Sequence, residues 1–308
     1  MRSAFVATLQ ELAKENEKIF VLNADLGFRV WDDFMKAFPS RCVNVGVAEQ
    51  NMVGIAAGMA LEGWKVYIYS IINFLTMRAL EQIWVDIAAH NLPVVIVGIG
   101  AGFAYSEQGP THHAIGDMTI MRAMPNMTVV APGDPVETKL VTRLSLDHQG
   151  PIYLRLGKRG DPVVHQNEPH FKIGKAIELC QGNDVTLVAC GTMLPTASNV
   201  VARLKAKHIY CRLISMHTIK PIDADILIKA AKETGYIITL EEHSILGGLG
   251  GAVAEVLAES GVAVPFKRFG IKDTFSSVAG SQEYLRRAHR LTEDTLEDDI
   301  YHIMRKSL

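Results

Sequence analysis

Three short segments in the first half of the 308-residue sequence carry residues whose types and spacing could support chemistry. In the first, residues 47–58, Glu49 stands between an apolar stretch and a helical pattern rich in glycine and alanine. Ligands bind where parallel strands lead into helices, so this carboxylate is a candidate catalytic group with little access to water. The small residues that follow would let another backbone or subunit approach. A structural glutamate that interacts with the helix dipole is the alternative.

The second segment, residues 106–113, reads Ser-Glu-Gln-Gly-Pro-Thr-His-His. A Gly-Pro turn would fix the backbone and present two imidazoles, which could donate to an anionic oxygen or transfer protons. Metal ligation is the alternative, although adjacent histidines point in different directions and no third ligand is near in the sequence. In the third segment, residues 71–82, Phe74 begins a helix directly after a strand, and a core aromatic is the structural alternative.

Two glycine-rich runs imitate nucleotide-binding turns. Residues 98–103 follow a strand but lack the last glycine of a dinucleotide turn, and residues 247–251 lack the lysine of a phosphate-binding loop. We therefore expect the second run to serve close packing of a helix against a strand.

These segments belong to a regular alternation of short β-branched runs and helical patterns. The first half predicts strands at 19–23, 66–69, 93–98, 128–131 and 152–155, and helices at 4–14, 50–62, 75–90 and 135–146. The second half predicts strands at 184–190, 209–214 and 236–240, and helices at 194–206, 224–232, 250–260 and from 292 onward. Such alternation predicts an α/β fold with mostly parallel sheets flanked by helices.

The predicted division into domains follows from the length of the chain and from one change in its amino-acid composition. A chain of 308 residues is long enough for two domains. Residues 157–172 are polar and rich in turn-forming residues, as in a linker. We therefore expect one domain at 1–160, a linker at 161–173 and a second domain at 174–308, each built on a mostly parallel sheet.

The composition excludes several classes of protein. A net charge of −2 gives no sign of a nucleic-acid surface or of attraction to an anionic membrane. The longest apolar run, residues 92–105, is too short to cross a bilayer, and the first residues do not resemble a signal peptide. The four cysteines lack the spacing of a zinc site, so we expect free thiols and a cytoplasmic protein.

Taken together, the three segments resemble the transketolase family of thiamine-diphosphate enzymes, over nearly the whole chain. The most specific signals are Ala-Glu-Gln-Asn-Met at 48–52 and Gly-Pro-Thr-His at 109–112, supported by the runs at 124–127, 131–134 and 241–243. The resemblance is to the pyrimidine-binding domain followed by the C-terminal domain, as in a separately encoded C-terminal subunit. It implies a transketolase-type transferase that moves a two-carbon ketol unit between a ketose and an aldose.

The resemblance implies two catalytic residues. Glu49 matches the glutamate that hydrogen-bonds a ring nitrogen of the cofactor's aminopyrimidine and so favours the imino tautomer, which takes the thiazolium proton. This role needs a carboxylate kept away from water. His112 matches the histidine near the cofactor amino group and the substrate oxygens.

Further residues match cofactor-binding positions of the family. Phe74 matches the aromatic residue that stacks on the pyrimidine, a contact worth roughly 0.5–1.5 kcal/mol beyond area burial. Met77 and Leu80 stand where neighbouring aromatic residues are usual, so the pocket is expected to be more aliphatic here. Asp25 and Leu26 match an Asp-Leu pair that lines the cofactor.

The family's metal-binding signature is missing from this sequence. The family holds the diphosphate through Mg²⁺ with a Gly-Asp-Gly run in a separate domain, whereas residues 116–118 and 133–135 read Gly-Asp-Met and Gly-Asp-Pro. The resemblance therefore implies no metal site in this chain. It implies an N-terminal partner subunit that binds Mg²⁺ and the diphosphate, with the cofactor between chains in an α2β2-type heterotetramer.

The substrate pocket is where the sequence departs most from the family. The positions that grip a sugar phosphate are Arg2, Arg29, Gly100 and Lys158 here, so one histidine is lost and one guanidinium is gained. Gln108 replaces an aspartate that contacts a sugar hydroxyl, and an amide both donates and accepts. We expect Arg2, Lys158, Arg29, Gln108 and His112 to bind an anionic sugar, although a solvated Arg29 is an equal alternative.

Three other functions compete with this interpretation. The β subunit of a 2-oxo acid dehydrogenase E1 shares the two-domain plan, and a 1-deoxyxylulose-5-phosphate synthase fits less well. An inactive scaffold subunit is the non-enzymatic alternative, which the retention of Glu49, Phe74 and His112 disfavours. The sequence does not identify the sugars, the pathway or the partner chain.

Overall fold

The computed structural model describes residues 1–27, 29–158 and 160–307, which form two sheets. The strands of the first sheet are β1 (Ile19–Asn23), β2 (Cys42–Asn44), β3 (Lys65–Ile71), β4 (Val95–Ile99), β5 (Thr128–Val130), β6 (Ile152–Leu156) and β10 (Thr218–Lys220). The strands of the second sheet are β7 (Ile177–Cys180), β8 (Val185–Ala189), β9 (Cys211–Ser215), β11 (Ile237–Ser244) and β12 (Phe266–Ile271).

Both sheets are mostly parallel. The first runs in the order β10-β5-β6-β4-β3-β1-β2, and its pairs are parallel except β10 with β5. The second runs β12-β11-β8-β9-β7, and its pairs are parallel except β7 with β9. Parallel strands need crossover connections, which the intervening helices supply. The predicted α/β architecture with two mostly parallel sheets is therefore confirmed.

Helices cover the sheets. In chain order they are α1 (Arg2–Glu15), α2 (Asp32–Ala37), α3 (Glu49–Leu61), α4 (Leu80–Gln82), α5 (Asp117–Ala123), α6 (Pro135–Ser145), α7 (Leu194–Lys205), α8 (Ala224–Glu233), α9 (Leu249–Ser260), α10 (Gln282–Ala288) and α11 (Glu293–Ser307). The Asp134 carboxylate caps α6 by accepting from the Glu137 N–H at 2.8 Å, with Pro135 at the first position, as predicted.

The segment predicted as one helix at 75–90 is broken up. Two π-helical stretches, Phe74–Arg78 and Ile83–Ala88, flank the short α4. At the start of this region the Thr76 hydroxyl donates to the Ile72 carbonyl at 2.8 Å, and such a bond competes with regular backbone pairing. π-Helical turns often occur at functional sites.

Buried polar groups join the two sheets. The Arg155 guanidinium, at the end of β6, donates to the Asp117 carboxylate at 2.7 Å and to the Glu242 carbonyl of β11 at 3.1 Å. The Tyr153 hydroxyl also donates to Asp117, at 2.7 Å. A carboxylate that receives three donors and is paired with arginine tolerates burial. Asp117 of the Gly-Asp-Met run is therefore part of the buried network that links the two sheets.

The glycine run at 247–251 packs as predicted. A Cβ atom at Gly248 would collide with the Glu241 carboxylate, and one at Gly250 would lie 2.7 Å from the Arg268 side chain. Glu241 itself accepts from the N–H groups of Leu249 and Gly250, at 2.7 and 2.8 Å. A buried side chain of the protein thus fills the start of α9.

The cysteines of the described chain are free thiols, three buried and Cys180 half-buried. Nowhere in the described ranges is a helix both long and apolar enough to cross a membrane.

Candidate active site

Most of the candidate residues follow the carboxyl ends of parallel strands in the first sheet, whereas Arg2 begins α1. Across β6, β4, β3, β1 and β2, in their spatial order, the residues that come next are Lys158, His112, Phe74, Asp25 and Glu49. Carboxyl ends of parallel strands meet at one edge of a sheet, which is where open α/β folds bind ligands. The fold therefore gathers groups that are far apart in the sequence.

Glu49 is the first residue of α3, and its side chain is 1% exposed. Its carboxylate has a partner for each oxygen. The Ser70 hydroxyl, at the end of β3, donates to Oε1 at 3.1 Å, and Nη1 of Arg78 lies 2.6 Å from Oε2. The predicted shielding of this carboxylate from water is confirmed, and the structure adds Ser70 and Arg78 as its partners.

Phe74 contacts His112 and also Arg78, the partner of the Glu49 carboxylate. Its half-buried ring is 4.9 Å from the His112 ring, edge to face, and 4.6 Å from the Arg78 guanidinium carbon. Glu49, Arg78, Phe74 and His112 thus form one continuous chain of contacts. An aromatic face and a buried carboxylate that share one neighbour, Arg78, suit a flat ring that carries a hydrogen-bond donor.

Asn73 holds the loop that carries the histidines. Its side-chain amide donates to the carbonyls of Thr111 and His113, at 3.0 and 3.1 Å, and more weakly to that of Pro110. The residue before Phe74 thereby fixes the distance between β3 and the turn at residues 109–113. Asn73 was not among the predicted site residues, because the sequence alone does not pair these two segments.

The two adjacent histidines have different environments. His113 is buried, and its Nε2 lies 3.0 Å from the Ser106 carbonyl. His112 is half-exposed, with Nδ1 2.9 Å from the Thr111 hydroxyl. Burial, together with the neighbouring His113, lowers the pKa of His112, so its ring is neutral at neutral pH. His112 is the one of the pair that can meet a substrate.

The Asp25-Leu26 pair lines a separate concavity of the same edge. Asp25 has a positive φ of 50° and is held by Asn44, which accepts from its N–H at 2.9 Å and donates to its carboxylate at 3.1 Å. A cavity of about 210 Å³ opens there between Asn23, Leu26 and Trp31. The structure thus places the pair on the surface of a cavity.

An aromatic ring fills the space beside Gly100 where a side chain would lie. Gly100 has a φ of 96°, and a Cβ atom there would overlap the Tyr105 ring, so no histidine could take this place without rearrangement. Burial raises the pKa of the Tyr105 phenol, and the nearby Arg2 guanidinium opposes the change. Tyr105 also lies 6.2 Å from the His112 ring. It therefore connects Arg2 with His112.

The remaining predicted substrate residues lie around this tyrosine or on the loops nearby. The Lys158 amino group donates to the Ala104 carbonyl, the residue before Tyr105, at 2.8 Å. Gln108 is exposed in a short 3₁₀ helix, and Arg29 is exposed with a φ of 60°. The structure therefore brings Arg2 and Lys158 to the Tyr105 segment, whereas Arg29 and Gln108 occupy exposed positions on loops.

Met77 and Leu80 differ in their surroundings. The Met77 side chain is exposed, whereas Leu80 is half-buried and packs against the main apolar core. Leu80 thus has a packing role whatever else it does. Across the described part of the chain, no group of three or more His, Cys, Asp or Glu side chains is placed to hold a metal ion.

Comparison with known proteins agrees with this geometry. Residues 1–160 match the family model described as "Transketolase, pyrimidine binding domain", and residues 174–296 match "Transketolase, C-terminal domain". A putative transketolase C-terminal section of Methanocaldococcus jannaschii is 41% identical over 99% of this chain and 96% of its own length. One subunit of an apulose-4-phosphate transketolase of Phocaeicola vulgatus is 40% identical over 88% of this chain and 87% of its own.

Solved structures and one further group of relatives complete the comparison. A structure described as a split gene transketolase, inactive beta4 tetramer, has a TM-score of 0.90 and 38% identity, and the match covers 100% of this chain and 97% of that one. A 1-deoxy-D-xylulose-5-phosphate synthase of Geobacter sulfurreducens is 37% identical over 92% of this chain, but the match covers only 44% of that protein.

Proposed function

The chain belongs to the transketolase family, and we propose that it is the catalytic C-terminal subunit of a split, thiamine-diphosphate-dependent transketolase. The enzyme would transfer a two-carbon ketol unit between a ketose and an aldose. The observation that carries the proposal is the buried Glu49 carboxylate, which is linked through Arg78 to the Phe74 ring and through that ring to His112. In the same proposal, residues 1–160 are the pyrimidine-binding domain, 161–173 the linker and 174–308 the C-terminal domain.

The residues present fit the aminopyrimidine half of the cofactor. Glu49 offers a carboxylate oxygen, away from water, to a ring nitrogen, and the Phe74 ring offers a flat surface for stacking. Asp25, Leu26 and the exposed Met77 would line the rest of the cofactor, with Leu80 behind them. When bound, thiamine diphosphate supplies a thiazolium carbon that carries the two-carbon unit.

The chain's own residues would activate and orient the reactants. Glu49 holds a proton at the ring nitrogen, and Ser70 fixes the direction of the carboxylate. The Thr111 hydroxyl can donate to the Gln108 carbonyl at 3.4 Å and accept from Nδ1 of His112 at 2.9 Å. His112 then keeps the lone pair on Nε2 and can take a proton from a sugar hydroxyl.

The diphosphate and Mg²⁺ would be bound by an N-terminal partner subunit. Support comes from relatives of similar length, one named as a C-terminal section and another as one subunit of a transketolase. The face of α3 supports it too, because Gly54 and Gly58 are exposed with nothing within 4 Å of an added Cβ atom. Ile55 of the same helix and Trp84, in the π-helical stretch that contacts α3, are exposed apolar groups. We propose an α2β2-type assembly, in the cytoplasm, with the cofactor between chains.

The substrate would be an anionic sugar. Arg2 and Lys158 both approach the Tyr105 segment, close to His112, and phosphate groups favour such paired cations. The ring of Tyr105 occupies the space beside Gly100. Here the family's histidine is replaced by Gly100, and a tyrosine ring takes the space. This replacement alters the pocket, so the preferred sugar would differ from the usual pentose phosphates. Gln108 and Arg29 would complete the pocket from the loops on either side.

A 1-deoxyxylulose-5-phosphate synthase activity is the second candidate, because a relative with that name is 37% identical over 92% of this chain. Reconstitution distinguishes the two. The chain is used to capture its partner, and the complex is assayed with phosphorylated ketose donors and aldose acceptors, and separately with pyruvate. Ketol transfer without pyruvate use supports the proposal. Pyruvate-dependent condensation, or a complex without either activity, would refute it.

A further inference from the structure

The Arg78 side chain lies between the two groups that we propose to hold the aminopyrimidine. Its Nη1 is 2.6 Å from Oε2 of Glu49, and its guanidinium carbon is 4.6 Å from the centre of the Phe74 ring. A guanidinium is planar, stacks on aromatic faces and donates to carboxylates. It therefore uses the same carboxylate and the same ring that an aminopyrimidine would use.

We propose that Arg78 is a placeholder: it occupies the aminopyrimidine site of the cofactor-free chain and leaves when the cofactor binds. This inference rests on the proposed function of Glu49 and Phe74. It adds a residue that competes with the cofactor, and so sets how tightly the assembled enzyme binds it.

Burial of Glu49 explains why the cofactor-free chain needs such a group. A carboxylate that is 1% exposed is costly without a cationic or hydrogen-bonding partner. Ser70 satisfies Oε1 only, and Arg78 satisfies Oε2. The placeholder thus lets the half-site form before the cofactor and the partner are present.

The position of Arg78 also allows it to leave. Its side chain is 42% exposed, so the guanidinium can turn into solvent without loss of packing in the core. Its backbone is fixed separately, because the Gln50 amide donates to the Arg78 carbonyl at 3.0 Å. The side chain can therefore move while the π-helical turn stays in place.

The consequence is a reduced apparent affinity for the cofactor. A protein whose binding-competent state is only partly populated binds its ligand more weakly by that fraction. In Arg78→Met the side chain keeps its apolar contact with Phe74 but cannot donate to Glu49. We expect the dissociation constant for thiamine diphosphate to fall about tenfold, which is equivalent to about 1.4 kcal/mol.

The test uses the complex with its diphosphate-binding partner, titrated with thiamine diphosphate in excess Mg²⁺. Arg287→Met is the matched control, because Arg287 also faces a carboxylate, Glu283 at 3.5 Å, but in solvent. Tighter binding by Arg78→Met, with the control unchanged, supports the placeholder. Unchanged or weaker binding would overturn it, since Arg78 would then be a bystander or a lasting cofactor contact.

A second measurement needs no cofactor. The free energy of unfolding of the chain alone is compared for wild type, Arg78→Met, Glu49→Gln and the double variant. We expect Arg78→Met to be the less stable single variant, and its loss to shrink in the Glu49→Gln background. Additive losses would overturn the proposed pairing. A wild-type complex that binds no thiamine diphosphate would instead refute the proposed function itself.

Discussion

Replacement of Glu49 by glutamine tests the proposed chemistry with little change of shape. The amide is isosteric with the carboxylate, and the structure shows how it fits. Its oxygen can accept from Arg78, and its NH₂ group can donate to the Ser70 hydroxyl, in place of the present bonds of 2.6 and 3.1 Å. The buried side chain thus keeps both neighbours.

The expected losses differ strongly in size. The negative charge at the start of α3 contributes about 0.3–1 kcal/mol through the helix dipole, so stability falls only slightly. Catalysis loses one acid–base contribution, on the order of 10²–10⁴-fold in turnover. Glutamine cannot share a proton with the ring nitrogen as a carboxylate does. The variant should therefore fold and assemble while turning over very slowly.

The assay compares turnover of reconstituted complexes at saturating thiamine diphosphate and Mg²⁺, alongside thermal unfolding. Glu62→Gln is the control, because it removes the same charge from the exposed end of the same helix. Near-normal turnover by the Glu49 variant would refute the assignment. Slow turnover with failed assembly would show only a structural role, and would count against it as well.

The substrate pocket, the buried network and the exposed helix give three further expectations. Arg2→Ala and Lys158→Ala should each raise KM for a phosphorylated sugar about tenfold or more, because a charge-assisted contact contributes roughly 1.5–3 kcal/mol. Burial raises the pKa of Glu241 from 4.5 to about 7, so its contribution to stability is present below pH 4.5 and is lost as pH rises through 7. In Glu241→Gln the unfolding free energy at pH 8, relative to pH 4, should exceed the wild-type difference by about 3 kcal/mol. Gly58→Phe should weaken association with the partner without destabilising the chain, because Gly58 is exposed and an added Cβ atom there meets nothing within 4 Å.

A specific result would contradict each of these three predictions. Wild-type KM in both alanine variants, or equal use of neutral sugars, would remove the substrate role of Arg2 and Lys158. An unchanged pH profile of unfolding in urea would show that Glu241 ionises normally. The neighbouring His243 also affects the pH profile of unfolding. Burial lowers the pKa of its imidazole to about 4, so the stability that the neutral His243 contributes is lost as pH falls from 6.5 through 4. Undiminished partner binding by Gly58→Phe, measured by sedimentation, would place the interface elsewhere.

The sequence predicted the parts of the fold that depend on local pattern. Alternating apolar runs revealed β1 over its observed range, and the Gly-Asp-Pro run marked the start of α6. It did not reveal β10, because Thr218–Lys220 is too short for a period and pairs with β5 across the chain. The sequence also did not predict the break in the helix at 75–90. This break involves a hydrogen bond from the Thr76 side chain to the Ile72 carbonyl, which helix propensities do not describe.

The same distinction applies to the candidate site. Glu49, Phe74 and His112 stand in recognisable motifs, so the sequence was enough to single them out. Arg78 was within one of those motifs, four residues after Phe74, a spacing that places two side chains on one helical face. Its pairing with Glu49 could not be foreseen, because the two residues belong to different elements. Tyr105 was missed because its position in the site depends on the space that Gly100 leaves for its ring, which the sequence does not show.

Calorimetric titration with thiamine diphosphate and Mg²⁺ tests the central claim most directly. We expect no measurable binding to this chain alone, and saturable binding, with one cofactor per chain, once the partner subunit is added. Micromolar binding to the isolated chain, or a complex with the partner that still fails to bind, would contradict it.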